Sequence, residues 1–364
     1  MDNDSHKKTF IIAEAGVNHN GSLELAKRLV DEAAKAGADA VKFQTFSAED
    51  LVCKSAPKAD YQKKMNHDQS QFDMLKSLEL SASIQVELQQ YCKKQSILFL
   101  SSPFDLKSIN FLNDTLNLPM IKIPSGEVTN LPFLLKIARK GKPVILSTGM
   151  CTLGEIEIAL SILAFGYVFP FEKFNLLNAE EIYFSKEGQN ILQQKISLLH
   201  CTTEYPAPFT EVNLRVITTL KNAFGLPVGY SDHTLGIAIA IAAVAAGASI
   251  IEKHFTLDKT MLGPDHKASL DPQELTAMVR GIREVELAMG TSKKMPTASE
   301  IKNRAIARKS LVSLEAINRG DLFSEMNLGC KRPGTGISPI QFYNYQNKCA
   351  ERDYEKDELI ESFK

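Results

Sequence analysis

The chain has 364 residues, which is long enough for one large domain with a full hydrophobic core and a small second domain. Its 42 Lys and Arg residues almost balance its 43 Asp and Glu residues, so we expect no broad charged surface for nucleic acid or an anionic membrane. The six scattered cysteines include no CxxC pair, which favours reduced thiols. The N-terminus lacks the apolar segment of a signal peptide, and the longest apolar stretch, residues 237–246, is too short to span a membrane. We therefore expect a soluble cytoplasmic protein.

Short apolar runs alternate with helical patterns along most of the chain. The predicted strands cover residues 9–13, 40–43, 97–100, 120–123, 143–146, 196–199, 227–230 and 249–251. The predicted helices cover residues 22–36, 81–95, 105–115, 130–139, 152–165, 212–222, 236–248 and 271–289. A polar stretch at residues 47–80 and an irregular, aromatic-rich insertion at residues 166–195 interrupt this alternation. Eight strand–helix units over about 280 residues are typical of an α/β protein with a (β/α)8 TIM barrel, and a doubly wound sheet is the alternative.

The pattern changes after residue 290. Residues 291–308 are polar and basic, as in a linker, and residues 309–364 contain short strand-like pieces separated by turns such as 318–321 and 331–336. We therefore predict a barrel domain of residues 1–290, a linker of residues 291–308, and a small, turn-rich, β-dominated domain of residues 309–364. A domain of that size is marginally stable alone and is expected to dock onto another surface.

Polar residues stand at the C-terminal end of every predicted strand. In TIM barrels the active site lies at this face, so these side chains are expected to converge. They are Glu14, Lys42, Gln44, Ser101, Ser102, Lys122, Ser125, Glu127, Ser147, Thr148, His200, Ser231, Asp232, His233, Glu252, Lys253 and His254. One polar residue at a strand end is ordinary, but eight such ends on one rim are better explained by a functional site.

Two of these residues, His233 and His254, follow neighbouring strands. A lone histidine is usually a hydrogen-bonded structural residue, but a pair delivered to one rim favours a metal site. Neutral imidazoles suit a divalent transition metal, and two of them leave coordination positions open for substrate. No cysteine has metal-ligand spacing and no HExxH motif occurs, which argues against a closed structural zinc site.

Lys42 and Lys122 end apolar strands, where an ammonium group is expected to meet an anion. Together with the hydroxyls of Ser125, Ser147 and Ser231 they could bind a phosphate or a carboxylate. Neither a Walker loop nor a GxGxxG motif is present, so nucleotide binding has no support. The alternative is that one lysine forms a Schiff base, as in some barrel aldolases, although such chemistry needs no metal.

Carboxylates and one arginine complete the set of candidates. Glu14, Glu127 and Asp265 could orient a polyhydroxylated substrate or transfer protons. Glu252 could instead orient a histidine ligand. Arg332 lies in a loop bounded by Gly and Pro, and its planar guanidinium suits a carboxylate, carbonyl or acetamido oxygen, although a solvated arginine is an equal alternative.

Seven segments of the barrel region resemble the bacterial sialic acid synthases. They are IIAEAGVNHNG at residues 11–21, AVKFQTF at 40–46, KIPSGE at 122–127, LSTGM at 146–150, SDHT at 231–234, EKHFT at 252–256 and GPD at 263–265. The segment KRPGTGISP at residues 331–339 resembles the antifreeze-like (SAF, β-clip) domain of the same family. The resemblance covers nearly the whole chain, and its motifs are specific in order and spacing.

The resemblance implies a metal-dependent condensation of phosphoenolpyruvate with an open-chain 2-acetamido sugar, which releases phosphate and forms a nine-carbon 2-keto sugar acid. It implies that His233 and His254 hold manganese, with magnesium or cobalt as alternatives. The implied phosphoenolpyruvate ligands are Lys42, Lys122, Ser125, Ser147 and Ser231, and the residues facing the sugar are Glu14, Gln44, Glu127, Tyr205 and Asp265. Glu14, Glu127, His233 and His254 are the catalytic candidates. Family members are dimers whose small domain reaches over the partner's barrel, which would place Arg332 in the neighbouring site.

Some features depart from the family pattern or leave alternatives open. Thr203 stands where some members place an asparagine near phosphoenolpyruvate, and the insertion at residues 166–195 is longer than in the shortest members. Residues 14–18 look closer to the neuraminate and legionaminate synthases than to the pseudaminate branch. The resemblance implies a role in bacterial surface polysaccharides and leaves two acceptors open, N-acetylmannosamine and 2,4-diacetamido-2,4,6-trideoxymannose. A non-catalytic sugar-binding protein is the alternative from another functional class.

Overall fold

A computed structural model describes residues 8–57 and 70–363 of the chain. The chain divides into two units, residues 1–290 and residues 291–364. In the part of the chain that the structure describes, no helix is both long enough and apolar enough to cross a bilayer.

The first unit is built on a parallel eight-stranded sheet. Its strands are β1 Phe10–Gly16, β2 Ala40–Thr45, β3 Leu98–Pro103, β4 Ile121–Ile123, β5 Val144–Ser147, β6 Ile196–Cys201, β7 Val228–Asp232 and β8 Ile250–His254. They pair in the order β3-β2-β1-β8-β7-β6-β5-β4, and the two end strands, β3 and β4, lie against each other. The ring is therefore nearly closed, which confirms the predicted TIM barrel and excludes the doubly wound alternative.

Helices follow the strands around the barrel. They are α1 Leu23–Ala36, α2 Ala48–Leu51, α3 Gln71–Leu78, α4 Ala82–Lys94, α5 Leu106–Asn110, α6 Leu131–Arg139, α7 Leu153–Val168, α8 Leu176–Phe184, α9 Lys186–Lys195, α10 Val216–Phe224, α11 Ala238–Ala245 and α12 Pro272–Met289. Side-chain caps fix several of their starts, since Ser22 accepts a hydrogen bond from the amide of Leu25 and Ser81 accepts one from Ile84. Gly37 ends α1 with a φ of 81°, a conformation that glycine adopts without strain.

The insertion at residues 166–195 was predicted to be irregular, and this prediction is wrong. Helix α7 continues to Val168, and α8 and α9 occupy most of the remainder. Asn175 caps α8 by accepting from two amides, and Ser185 caps α9 by accepting from the amide of Gly188. Phe174 packs edge-on against Phe165 with ring centroids 5.3 Å apart. The cap residues Asn175 and Ser185 were therefore the sequence signal for these two helices, but the aromatic composition of the segment favoured an irregular interpretation. In the polar stretch at residues 47–80, α2 and α3 are helical, and residues 58–69 lie outside the described part of the chain.

The second unit has an antiparallel pair of strands, β9 Ser310–Ser313 and β10 Leu328–Lys331. Its own apolar core consists of Leu311, Ile317, Phe323, Leu328, Tyr345, Ala350, Tyr354 and Ile360. It also holds a short helix, α14 Phe342–Tyr345. The stretch expected to be a linker contains helix α13, Ala298–Ala307, which begins with a reciprocal capping box between Thr297 and Glu300.

Candidate active site

The interior of the barrel changes from apolar to polar between two successive layers of side chains. An apolar layer is formed by Ile12, Ala40, Leu100, Ile145, Leu199 and Ile250, one from each of six strands. Because side chains alternate across a strand, the inward position two residues further along is occupied in turn by Glu14, Lys42, Ser102, Ser147, Cys201 and Glu252. All six of these residues line a cavity at the C-terminal end of the barrel. The register of the strands therefore places these six residues in one layer, which forms the floor of the cavity.

The cavity has a volume of about 360 Å³ and brings together most of the site residues predicted from the sequence. Those lining it are Glu14, Lys42, Gln44, Ser102, Lys122, Ser125, Ser147, Tyr205, Ser231, His233, Glu252, His254 and Asp265. A volume of this size suits small metabolites.

Two lysines and two glutamates form a connected charge cluster on the cavity floor. The ammonium nitrogen of Lys42 lies 2.6 Å from Glu14 Oε2 and 3.7 Å from Glu252 Oε2. Lys122 donates to Glu252 Oε1 at 3.2 Å, and the Ser231 hydroxyl donates to the same oxygen at 2.9 Å. All of these side chains are buried. Glu252 thus lies between the two lysines. The contacts within the cluster hold both ammonium groups in place even without substrate.

The pKa values of the two glutamates in this cluster are shifted in opposite directions. Burial raises the pKa of Glu14 to about 7, against the opposing effect of Lys42. Burial would also raise the pKa of Glu252, but Lys122 and Lys42 together lower it to about 2. Burial would lower the pKa of Lys42, yet Glu14 and Glu252 raise it. At neutral pH the cluster therefore combines an ionised Glu252, a protonated Lys42 and a carboxyl group, Glu14, that can gain or lose a proton.

The paired histidines face the same cavity, with ring centroids 5.8 Å apart. His233 Nδ1 donates to the carbonyl oxygen of Thr202 at 2.5 Å, which leaves the lone pair of the neutral ring on Nε2. His254 Nδ1 has no hydrogen-bond partner among the described residues, and the carboxylate of Asp265 lies 3.8 Å away. Burial lowers the pKa of His233 to about 4, and burial together with His233 lowers the pKa of His254 well below its usual value. Both rings are therefore neutral at pH 7.

This arrangement fits a divalent metal ion held by two imidazoles. Each ring is neutral, and the buried Nδ1 of His254 lacks a partner within the described ranges. Gly16 approaches this ring closely, since a Cβ atom there would lie 3.2 Å from His254 Cε1 at a φ of 53°. No group of three or more His, Cys, Asp or Glu side chains in residues 8–57 and 70–363 is arranged to hold a metal. The remaining coordination positions would fall to water and substrate.

Hydroxyl groups lie beside the charge cluster. Ser125 Oγ accepts from the amide of Gly149 at 2.9 Å and lies 3.2 Å from Cys201 Sγ. Ser147 Oγ is buried without a hydrogen-bond partner in the described part of the chain. Thr203 also lines the cavity, and a Cβ atom on Gly149 would lie only 2.4 Å from its hydroxyl oxygen. Close packing thus holds these hydroxyls where they can bind an anion.

Tyr205 and Asp265 form the side of the cavity next to the histidines. The Tyr205 ring lies 4.2 Å from the His233 ring and stands edge-on to the His254 ring at 5.6 Å. Burial raises the pKa of Asp265 to about 6, with Lys42 acting in the opposite direction. These groups, with Gln44, can hydrogen-bond a polyhydroxylated ligand.

Glu127 carries a predicted role but does not line the cavity, and neither do five of the other strand-end residues, Ser101, Thr148, His200, Asp232 and Lys253. Glu127 is half-buried and accepts a hydrogen bond from Asn130 at 2.6 Å, and burial raises the pKa of its carboxyl group. Arg332 belongs to the second unit, where its Nε donates to the carbonyl oxygen of Ala307 at 3.0 Å. For Glu252 the sequence left open that it orients a histidine ligand, and the structure places its carboxylate between two lysines. The strand register was the signal for this position, because Glu252 lies two residues beyond the buried Ile250.

The sequence matches the NeuB family over residues 29–294. An N,N'-diacetyllegionaminic acid synthase of Campylobacter jejuni subsp. jejuni serotype O:2 is 53% identical over 355 residues, which cover 97% of this chain and 99% of that protein. The enzyme of the same name from Legionella pneumophila is 46% identical over 92% of this chain and 88% of its own length. The crystal structure of an N-acetylneuraminic acid synthetase from Leptospira borgpetersenii, in complex with citrate, superposes with a TM-score of 0.66 at 34% identity, over 82% of this chain and 90% of that one. The chain therefore belongs to the NeuB family of sialic acid synthases.

Proposed function

We propose that the protein condenses phosphoenolpyruvate with 2,4-diacetamido-2,4,6-trideoxymannose to form N,N'-diacetyllegionaminic acid and phosphate. Family membership supports the reaction class, a condensation of phosphoenolpyruvate with an acetamido sugar. The similarity to two legionaminic acid synthases over nearly the whole chain supports this sugar rather than N-acetylmannosamine. Of the observations on the site itself, the one that carries the proposal is the meeting of two lysines and two histidines in one cavity.

In this proposal, phosphoenolpyruvate binds to the cationic side of the cavity. Lys42 and Lys122 bind its phosphate and carboxylate, and the hydroxyls of Ser125, Ser147 and Ser231 donate additional hydrogen bonds. Charge-assisted hydrogen bonds of this kind are about twice as strong as neutral ones. The lysines are already fixed by Glu14 and Glu252, so little reorganisation is needed when the anion arrives.

The sugar aldehyde lies against the histidines, with Gln44, Tyr205 and Asp265 hydrogen-bonding its polar groups. A divalent ion held by His233 and His254, manganese in our proposal with magnesium or cobalt as alternatives, would supply polarisation of the aldehyde oxygen. Carbon 3 of phosphoenolpyruvate bonds to the aldehyde carbon, and Glu14 provides the proton that the aldehyde oxygen takes up, which its pKa near 7 permits. Water adds to carbon 2 and loses one proton to the Glu14 carboxylate. The bond from carbon 2 to the phosphate oxygen then breaks, the second proton passes to the released phosphate, and the keto group forms.

A Schiff-base aldolase on the same barrel is the competing reaction. It requires a neutral lysine amine as the nucleophile. Lys42 does not suit this role, because Glu14 and Glu252 raise its pKa despite burial. The retained ammonium group favours anion binding over covalent catalysis.

We further propose that the protein acts as a homodimer in the cytoplasm, with residues 309–364 as an SAF domain that supplies Arg332 to the partner's site. The resemblance of residues 331–339 to that domain supports this assignment. Inactive Arg332→Ala and His233→Ala chains, mixed and allowed to exchange subunits, should then regain part of the activity. Absence of recovery despite verified exchange would contradict this role of Arg332.

The proposed substrate is tested by phosphate release from phosphoenolpyruvate with manganese present. N-acetylmannosamine and the 2,4-diacetamido sugar are compared at matched concentrations, and the His233→Ala variant serves as the inactive control. We expect a higher kcat/KM for the diacetamido sugar. A higher value for N-acetylmannosamine would identify a neuraminate synthase instead.

A further inference from the structure

One side of the cavity is apolar although both proposed substrates are rich in polar groups. Leu51, Met74, Leu75, Leu78 and Phe104 line this side, and we call these five residues the apolar wall. Together with Val17 and Phe46 they pack into a small cluster that is separate from the barrel core. The cluster therefore faces the same space as the charge cluster and the histidines.

Helix α3 presents one continuous face to the cavity. Gln71, Met74, Leu75 and Leu78 all line it, and their spacing of i, i+3, i+4 and i+7 places them along one side of the helix. On the other side, Asp73, Lys76 and Ser77 are exposed. Met74 and Leu75 remain partly accessible from the cavity, whereas Leu78 is buried at the end of the row. A ligand in the cavity can therefore contact three apolar side chains and the side-chain amide of Gln71 on this helix.

The chemistry of the reaction decides which end of the sugar can reach this wall. The aldehyde carbon, C1, must meet phosphoenolpyruvate beside the lysines and histidines on the cavity floor. The floor consists of strand ends, whereas the wall comes from the segments that follow β2 and β3, at the rim of the barrel. An open-chain sugar held at C1 on the floor therefore extends its C4 to C6 end toward the rim.

The composition of the wall distinguishes between the two candidate sugars. N-acetylmannosamine carries hydroxyls at C4 and C6, and burying an unpaired hydroxyl against apolar side chains is unfavourable because its hydrogen bonds to water are lost without replacement. The diacetamido sugar carries a methyl group at C6 and an acetamido group at C4, whose methyl is apolar. Gln71 at the edge of the wall can hydrogen-bond the amide of that acetamido group.

We propose that the apolar wall is the subsite for the C6 methyl and C4 acetamido groups and selects the 2,4-diacetamido-6-deoxy sugar over N-acetylmannosamine. This inference rests on the proposed function, because it assigns a role within the same reaction. Met74, Leu75 and Gln71 are the specificity-determining residues, and Leu78 and Phe104 complete the apolar lining beside them.

The test compares Met74→Ser and Leu75→Ser with the wild type, using kcat/KM for each sugar at saturating phosphoenolpyruvate. We expect kcat/KM for the diacetamido sugar to fall about tenfold or more, the range for losing apolar contact in a pocket, mainly through KM. The value for N-acetylmannosamine and the KM for phosphoenolpyruvate should change less than about threefold. Phe72→Ser is the matched control, because Phe72 lies on the same helix but does not line this cavity.

The outcomes separate this inference from the proposed function. A wild type that releases phosphate with neither sugar would contradict the proposed function. A wild type that prefers the diacetamido sugar, with Met74→Ser and Leu75→Ser variants that keep the same ratio of the two kcat/KM values, would overturn the role of the wall alone. Unfolding midpoints close to that of the wild type would show that a fall in activity does not come from loss of the fold.

Discussion

Asp232 and Lys253 form a fully buried ion pair directly behind the two cavity histidines. Lys253 Nζ donates to Asp232 Oδ2 at 2.8 Å and to the carbonyl oxygen of Thr234 at 2.5 Å. Asp232 directly precedes His233, and Lys253 directly precedes His254. Because successive side chains point to opposite faces of a strand, the ion pair points away from the cavity when the two histidines point into it. The pair ties β7 to β8 at the level of the histidines and fixes the separation of their rings.

Lys253→Met should destabilise the protein strongly. It leaves the Asp232 carboxylate buried without its cation, and such a loss typically costs about 3–5 kcal/mol. Urea unfolding followed by circular dichroism measures the change. A double variant, Asp232→Asn with Lys253→Met, should recover part of the stability, because the amide oxygen can still accept from the buried amide and hydroxyl of Thr234. Lys107→Met, which breaks an exposed pair with Asp50, is the control and should change little. An unchanged midpoint for Lys253→Met would contradict the structural role of the pair.

The stability of the protein should depend on pH through His19. Burial, with a smaller contribution from His266, lowers the pKa of this residue from 6.5 to about 4. The unfolded chain therefore takes up a proton below pH 6.5 that the folded chain takes up only near pH 4, so stability is lost as the pH falls. Between pH 7.5 and 5 the loss from this residue is about 2 kcal/mol.

The His19→Gln variant tests this dependence. Its amide oxygen can accept the hydrogen bond that His19 Nδ1 takes from the amide of Gly21, at 3.0 Å in the structure, but it does not titrate. Unfolding free energies at both pH values should differ less in His19→Gln than in the wild type. Equal differences would mean that His19 is protonated in the folded protein.

Gly149→Ala should impair binding of phosphoenolpyruvate. The added Cβ atom would lie 2.4 Å from the Thr203 hydroxyl and 3.0 Å from Ser125 Oγ, so these groups must move. A displacement of that order in a binding site can lower kcat/KM by about 10- to 100-fold. Gly154→Ala is the matched control, because nothing lies within 4 Å of the corresponding Cβ position in α7. Equal kinetics for both variants would show that the Ser125 and Thr203 side of the cavity does not contact substrate.

Lys122→Met should raise the KM for phosphoenolpyruvate by about 10- to 100-fold, since a hydrogen bond to a charged group contributes about 1.5–3 kcal/mol. The KM for the sugar should change little. Phosphate release measured against the concentration of each substrate separates the two effects. Lys140→Met, which removes an exposed ion pair with Asp114, controls for loss of positive charge. A raised KM for the sugar alone would show that Lys122 binds the sugar and not phosphoenolpyruvate.

Local sequence patterns were sufficient to predict the barrel and to predict which residues of the candidate site meet in one cavity, with few exceptions. Apolar runs marked the strands, and the polar residues after them, such as Lys42 and His233, lie in the cavity as predicted. The patterns failed where packing between distant segments decides the outcome. Glu252 meets Lys42 and Lys122 only through the order of strands in the closed ring. The apolar wall joins α3 to residues after β2 and β3, a contact that no local pattern indicates.

The proposed function is tested most directly by product formation from phosphoenolpyruvate and 2,4-diacetamido-2,4,6-trideoxymannose with metal-stripped protein. We expect no reaction before manganese is added, and afterwards one phosphate released for each nine-carbon keto acid detected by mass spectrometry. Phosphoenolpyruvate left intact with manganese and sugar present would contradict the proposed function. So would turnover that persists with chelator and yields a lysine adduct trapped by borohydride, which would identify the Schiff-base reaction instead.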